Sequence, residues 1–138
     1  MCVSSAFIVH TAQKPRVVYD YKYVNSFTAT ASCKYETLPD LAQSLRQNDA
    51  LLTWDVQDAY HHLMLQPDDR KYLAVRCLGR FCVPITMPFR LAPAPLTWTK
   101  VMRPVVQHLR AAGFSILPYM DDFGGAPPAE PGQAATTE

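Results

Sequence analysis

Two short acidic clusters close apolar runs in this sequence. Residues 51–56 (LLTWDV) form a run ending at Asp55, with Asp58 three residues later, and residues 114–117 (FSIL) lead into Asp121-Asp122. An ionised carboxylate at the end of a buried strand is costly unless it is paired or bound to a metal. Phosphoryl transfer uses such a set. Two hard cations about 3.5–4 Å apart activate an attacking hydroxyl and hold the leaving pyrophosphate. Magnesium takes a few carboxylates plus substrate phosphate oxygens, so two or three aspartates from two strands suffice. Taken singly, the same residues serve plainer purposes equally well, Asp58 as a helix cap and Asp121-Asp122 as a polar turn.

Short elements must hold these acids in place. Residues 3–9 and 16–19 read as strands. Leu38, Leu41 and Leu45 recur at helical spacing, which predicts a helix over 37–47 with Thr37 as N-cap and Pro39 in the first turn. Residues 51–56 read as a buried strand, and 72–76 and 81–86 as two strands joined at Leu78-Gly79. A proline-rich loop, 88–95, precedes a helix running to Ala112. Its apolar face is Trp98, Met102, Val105 and Leu109, and Gly113 is its stop. Pro104 is expected to kink or split that helix. Residues 114–117 form the next strand.

The composition is that of one compact globular domain: 138 residues, 49% hydrophobic and 18% charged. Net charge is +1, from 13 basic against 12 acidic residues, which neither requires nor excludes nucleic acid. Arg70, Lys71, Arg76 and Arg80 gather locally, as a solvated face or as a stripe that tracks phosphates. The start, MCVSSAFIVH, lacks the pattern of a secretory signal, and nothing approaches the ~18 apolar residues of a membrane span. The four cysteines, Cys2, Cys33, Cys77 and Cys82, are therefore expected as free thiols in a reducing, intracellular setting. Cys77 and Cys82 with His61 and His62 fit no common zinc spacing. From Gly124 onward the sequence GGAPPAEPGQAATTE has no periodicity and no large apolar residue. It divides the chain into a domain, 1–123, and an expected disordered tail, 124–138.

Four segments, in order, resemble reverse transcriptase motifs. YMDD at 119–122 is similar to the catalytic turn, and LLTWDVQDAYHHLML at 51–65 resembles the strand bearing the first catalytic aspartate. KPRVVYDYKYVN at 14–25 resembles the fingers segment K-x-R-x-x-x-D-x-R-x-x-N. MPFRLAPAPLTWTKVMRP at 87–104 looks like the loop and helix P-F-G-L-x-x-A-P. The flavour is that of retrotransposon enzymes, with a T-K-V-x-R-P helix similar to that of DIRS-like elements. The resemblance implies an α+β fold: a polymerase palm, an antiparallel sheet backed by helices, with part of a fingers subdomain.

It also implies roles. Asp55 and Asp121 match the main ligands of two Mg2+ ions, Asp122 the supporting acid, and Val56 a metal-touching backbone carbonyl. Arg16 matches the cation that grips the incoming dNTP, a task suited to its planar fork of donors, and Lys14 lies near it. Tyr60 matches the steric gate against a ribose 2′-hydroxyl; without the motif it reads as a core tyrosine. Phe89 lies where the family packs a side chain against the nascent pair. The implied partners are a primed RNA or DNA template and a dNTP, with missing polymerase segments or a related polyprotein supplying the rest.

The match also departs from the family. Arg90 replaces the glycine of P-F-G-L, where a long cation is expected to intrude. Pro118 falls where a strand needs its ladder hydrogen bond. Gly124-Gly125-Ala126-Pro127-Pro128 stands where an apolar return strand is required, and the tail therefore reads as a reading-frame scar. Without that strand, thumb or primer grip, the chain is expected to be loosely packed and inactive alone. The competing reading is a non-catalytic retroelement remnant, at most binding nucleic acid.

Overall fold

The computed structural model describes residues 2–10, 15–29, 32 and 34–128. In chain order the strands are β1 (Val3–His10), β2 (Pro15–Asp20), β3 (Leu52–Asp55), β4 (Ala74–Cys77), β5 (Arg80–Cys82), β6 (Ser115–Tyr119) and β7 (Asp122–Ala126). The helices are α1 (Lys22–Ser26), α2 (Leu38–Ala42) and α3 (Ala94–Ala111). The fold is α+β, as expected, and divides into two compact units: residues 1–32 with 58–98, and residues 33–57 with 99–138. No helix among the described residues is long and apolar enough to cross a membrane.

The first unit is built on a four-stranded sheet ordered β2-β1-β4-β5. β1 and β2 form an antiparallel ladder from Ser5↔Asp20 to His10↔Pro15, whereas β1 meets β4 in parallel, Val3↔Ala74 to Ser5↔Arg76. The β4–β5 hairpin closes through Leu78 (φ 49°) and Gly79 (φ 76°). Two successive positive φ values give the loop the twist that matches its strands. Tyr21, which follows β2, is buried, and its hydroxyl donates to the Leu73 carbonyl at 3.1 Å.

The second unit is a wholly antiparallel sheet ordered β3-β7-β6. Phe123 and Ile116 leave it to meet Val106 of α3, with Val56, Met102 and Leu109 packed around them. Along α3 the buried positions are Ala94, Trp98 and Val106; Val105, expected on the apolar face, is exposed. α3 is also continuous through Pro104. Proline frees the carbonyl four residues earlier. Lys100 and Pro104 are both exposed, so water can satisfy that group. The helix stops as expected at Gly113 (φ 91°). Phe114 N–H donates to the Leu109 carbonyl and Gly113 N–H to that of Arg110, both Schellman bonds.

Two further expectations are corrected in size or placement. α2 spans five residues rather than the whole of 37–47. Its start is as read from sequence: the Thr37 N–H and hydroxyl both donate to Asp40 Oδ2 at 2.7 Å. Strand β3 exists but is not buried: it lies at the sheet edge and all four of its residues are exposed.

The largest correction concerns the segment after the two aspartates. Asp122-Phe123-Gly124-Gly125-Ala126 is the return strand, paired on one side with β3 and on the other with β6. Propensity predicts no strand from residues with so little to pack. Here the missing side chain is the reason the strand fits. A Cβ on Gly125 would stand 1.9 Å from the Ser115 carbonyl oxygen, so only glycine allows the two backbones to approach this closely. The boundary at Gly124 therefore falls inside the fold, and the motive for an unpaired hairpin disappears. Pro118 is accommodated because β6 is an edge strand. The pair Tyr119↔Asp122 closes a two-residue loop and is hydrogen-bonded, so Pro118↔Phe123 is not and no ladder donor is missed. The tail beyond residue 128 lies outside the described residues.

Candidate functional site

In the second unit, register decides where the acids point. Side chains alternate along a strand, and Phe123 faces the core beneath α3. Asp122, one residue out of phase, therefore faces the other side. Asp55 is its direct cross-strand partner and shares that face. Residues so opposed have Cβ atoms roughly 4.5–5.5 Å apart. Val56 N–H donates to the Asp121 carbonyl at 2.9 Å, tying the end of β3 to the turn that carries Asp121. That turn has φ 55° at Met120, a strained value for a side chain with a Cβ. Asp55 and Asp122 are exposed and Asp121 half-buried.

The three expected acids thus come from one strand end and one adjoining hairpin. Like charges directly opposite each other repel, and a divalent cation would relieve this. Hard oxygen donors of this kind suit magnesium. Among the described residues, however, no three His, Cys, Asp or Glu side chains are gathered closely enough to hold a metal ion as they stand. The donor set fits the metal by chemistry and register without being a finished coordination site. Asp58, the fourth acid, precedes the 3-10 turn Ala59–His62 with φ 53°, and its side chain makes no capping bond.

The residues expected to contact nucleotide lie in the first unit. Tyr60 packs its ring against Phe89, with centroids 5.1 Å apart, and edge-on to Trp98 at 6.4 Å. At 7% exposure it has the burial of a core tyrosine. Phe89 is half-buried and also meets His61 edge-on at 5.2 Å. Arg16 is exposed on β2 opposite Val9. Lys14 lies outside the described residues. Around the basic hairpin, Arg76 stands over the Phe81 ring and Lys71 over that of Tyr72.

Sequence reasoning missed two features of this unit. The side chain of Arg90 is exposed, and its position demands a left-handed backbone at φ 69°. Asn25 grips the same loop from a distance. Its Nδ2 donates to the Arg90 carbonyl at 2.9 Å and its Oδ1 accepts from Ala92 N–H at 2.8 Å. Asn25 closes the fingers-like motif, but no spacing rule links residue 25 to residues 90–92.

Comparison with known proteins adds three findings. Residues 9–124 match the family model described as reverse transcriptase (RNA-dependent DNA polymerase). Among solved structures, the crystal structure of the native prototype foamy virus protease-reverse transcriptase is similar in fold, with a TM-score of 0.73 at 16% identity. The likeness covers 91% of this chain and 17% of that one, so the chain spans about a sixth of the foamy virus protein. No curated protein matches.

Proposed function

The chain belongs to the reverse transcriptase family, and from that premise we propose that it supplies acidic and nucleotide-contacting residues for template-directed DNA synthesis. The reaction is attack of a primer 3′-hydroxyl on the α-phosphate of a dNTP, with pyrophosphate leaving. The observation that carries the reading is the register Asp55↔Asp122, locked to Asp121 by the Val56 bond. Asp55, Asp121 and Asp122 would hold magnesium. Bound there, the metal would lower the pKa of the attacking hydroxyl and neutralise phosphate charge. Arg16 would pair with the triphosphate, Lys14 would lie beside it, Phe89 would pack on the nascent pair, and Tyr60 would act as gate. A retrotransposon origin of DIRS-like type belongs to the same proposal.

The test is a fusion in which residues 2–128 replace the matching segment of a related enzyme. Asp55→Asn and Asp121→Asn should each lower dNTP incorporation roughly 100-fold or more, as removal of transition-state charge stabilisation does. Asp58→Asn should have a smaller effect. Tyr60→Ala should admit ribonucleotides; unchanged dNTP/rNTP discrimination removes the gate role. A second reading is a remnant that at most binds nucleic acid, and on that reading the chain alone does not extend a primer. Template-dependent incorporation by the purified chain, abolished by Asp121→Asn, would overturn it.

A further inference from the structure

We infer that Asn25 is a positioning residue: its carboxamide clamps the turn 88–92 and thereby fixes Phe89 and the Tyr60 ring packed on it. The inference rests on the proposed nucleotide-contacting role of those two rings. Phe89 is held from its N-terminal side by Pro88, among the most deeply buried side chains, and by Met87, whose N–H donates to the Leu63 carbonyl at 2.8 Å. On its C-terminal side lies Arg90, in a left-handed conformation that a residue with a Cβ adopts only when its surroundings impose it. Asn25 is what imposes it. A planar amide offers one donor and one acceptor side by side, matched to the Arg90 carbonyl and the Ala92 N–H on either side of Leu91. Neither serine nor alanine presents that pair.

The clamp itself is anchored. Asn25 lies in α1, its N–H donating to the Tyr21 carbonyl at 2.8 Å, and Tyr21 is buried and bonded to the Leu73 carbonyl. The reference point is therefore the four-stranded sheet, not the loop. Near the end of the turn, Leu91 is buried and its carbonyl accepts from Ala94 N–H at the start of α3. Loss of the clamp leaves the anchors at Pro88 and Leu91 in place and frees the backbone at Phe89 and Arg90 between them. The consequence falls on the tilt of Phe89 against Tyr60, and so on selection between deoxy- and ribonucleotide.

The experiment uses the full chain. Amide hydrogen exchange reads the clamp directly. In Asn25→Ala the Ala92 amide should exchange roughly tenfold faster, the scale of one or two lost hydrogen bonds. The β1–β2 ladder should keep its rates, and Asn25→Asp, which retains the acceptor, should keep Ala92 protected. Binding of Mg·dATP against Mg·ATP, with a primed template present, reads the consequence. Asn25→Ala should lower the dATP/ATP affinity ratio several-fold. Unchanged Ala92 exchange in Asn25→Ala, acceleration of Ala92 and the β1–β2 amides by one common factor, or an unchanged affinity ratio would each overturn the inference. If the parent chain binds neither nucleotide, the nucleotide-contacting reading falls and the selectivity claim with it. The clamp is then accepted or rejected on the exchange of the Ala92 amide.

Discussion

Arg90 and Tyr21 show what single residues contribute. At φ 69°, Arg90 carries the steric cost of a Cβ in the left-handed region, about 1–2 kcal/mol. Glycine removes it and adds back part through a freer unfolded chain. Arg90→Gly should therefore raise stability by roughly 0.5–1 kcal/mol in urea denaturation; a loss would mean that the exposed guanidinium contributes packing not evident from its exposure. Tyr21 gives a prediction about pH. Burial, and secondarily the neighbouring Tyr19, push its phenol well above the usual tyrosine value. A raised pKa in the folded state means stability that is complete below the unfolded value, about 10, and lost as pH rises beyond it. Tyr21→Phe removes the bond to Leu73 and should cost about 1 kcal/mol at neutral pH. It should also flatten the alkaline limb of the stability profile as pH rises past about 10. An alkaline limb as steep as the parent's would assign that limb to other tyrosines.

Strand β7 is the element on which the second unit depends. Its two glycines make unequal demands. A Cβ at Gly125 meets the Ser115 backbone, whereas one at Gly124 meets nothing within 4 Å. Gly125→Ala should cost about 1–3 kcal/mol or prevent folding, as overpacking against backbone does. Gly124→Ala should stay within about 0.5 kcal/mol, as open positions do. Equal effects at both sites in chemical denaturation would place the strand elsewhere. Phe123 shows why so small a strand holds. Its ring is buried against Val106 and Ile116 and stacks on Trp54, with centroids 5.8 Å apart. One aromatic residue supplies the burial that two glycines cannot.

Across the molecule, apolar surface remains uncovered. β3 is a sheet edge with Leu52 50% and Trp54 38% exposed, and Leu51 beside it is exposed as well. An unpaired apolar edge is a template for a second copy. Size-exclusion chromatography with light scattering should show concentration-dependent association, reduced by Leu52→Lys, which places a charge on that edge. A parent chain that stays monomeric at all concentrations would count against this. The cause differs from the one read in the sequence, where the hairpin lacked its return strand; the hairpin is complete and the exposed edge is β3.

Family membership was legible before any contact was known, because four motifs in order carry it, and the family model over residues 9–124 agrees. Local features were legible too: Thr37 at the start of α2, Gly113 at the end of α3, and the hairpin turn at Leu78-Gly79. Each depends on the chemistry of one or two residues and their immediate neighbours. Matters that depend on approach between distant segments were settled only by the folded arrangement. Gly124-Gly125 reads as a linker because glycine has low strand propensity, yet it lies in a strand where β6 comes too close to Gly125 for any side chain. Arg90 reads as a long cation where a glycine is expected, and the left-handed φ of that position is displayed by no side-chain list. Asn25 finds Arg90 and Ala92 across 65 and 67 residues of chain. Propensity and periodicity act over a few residues; the distance between two backbones is settled only when the chain has folded.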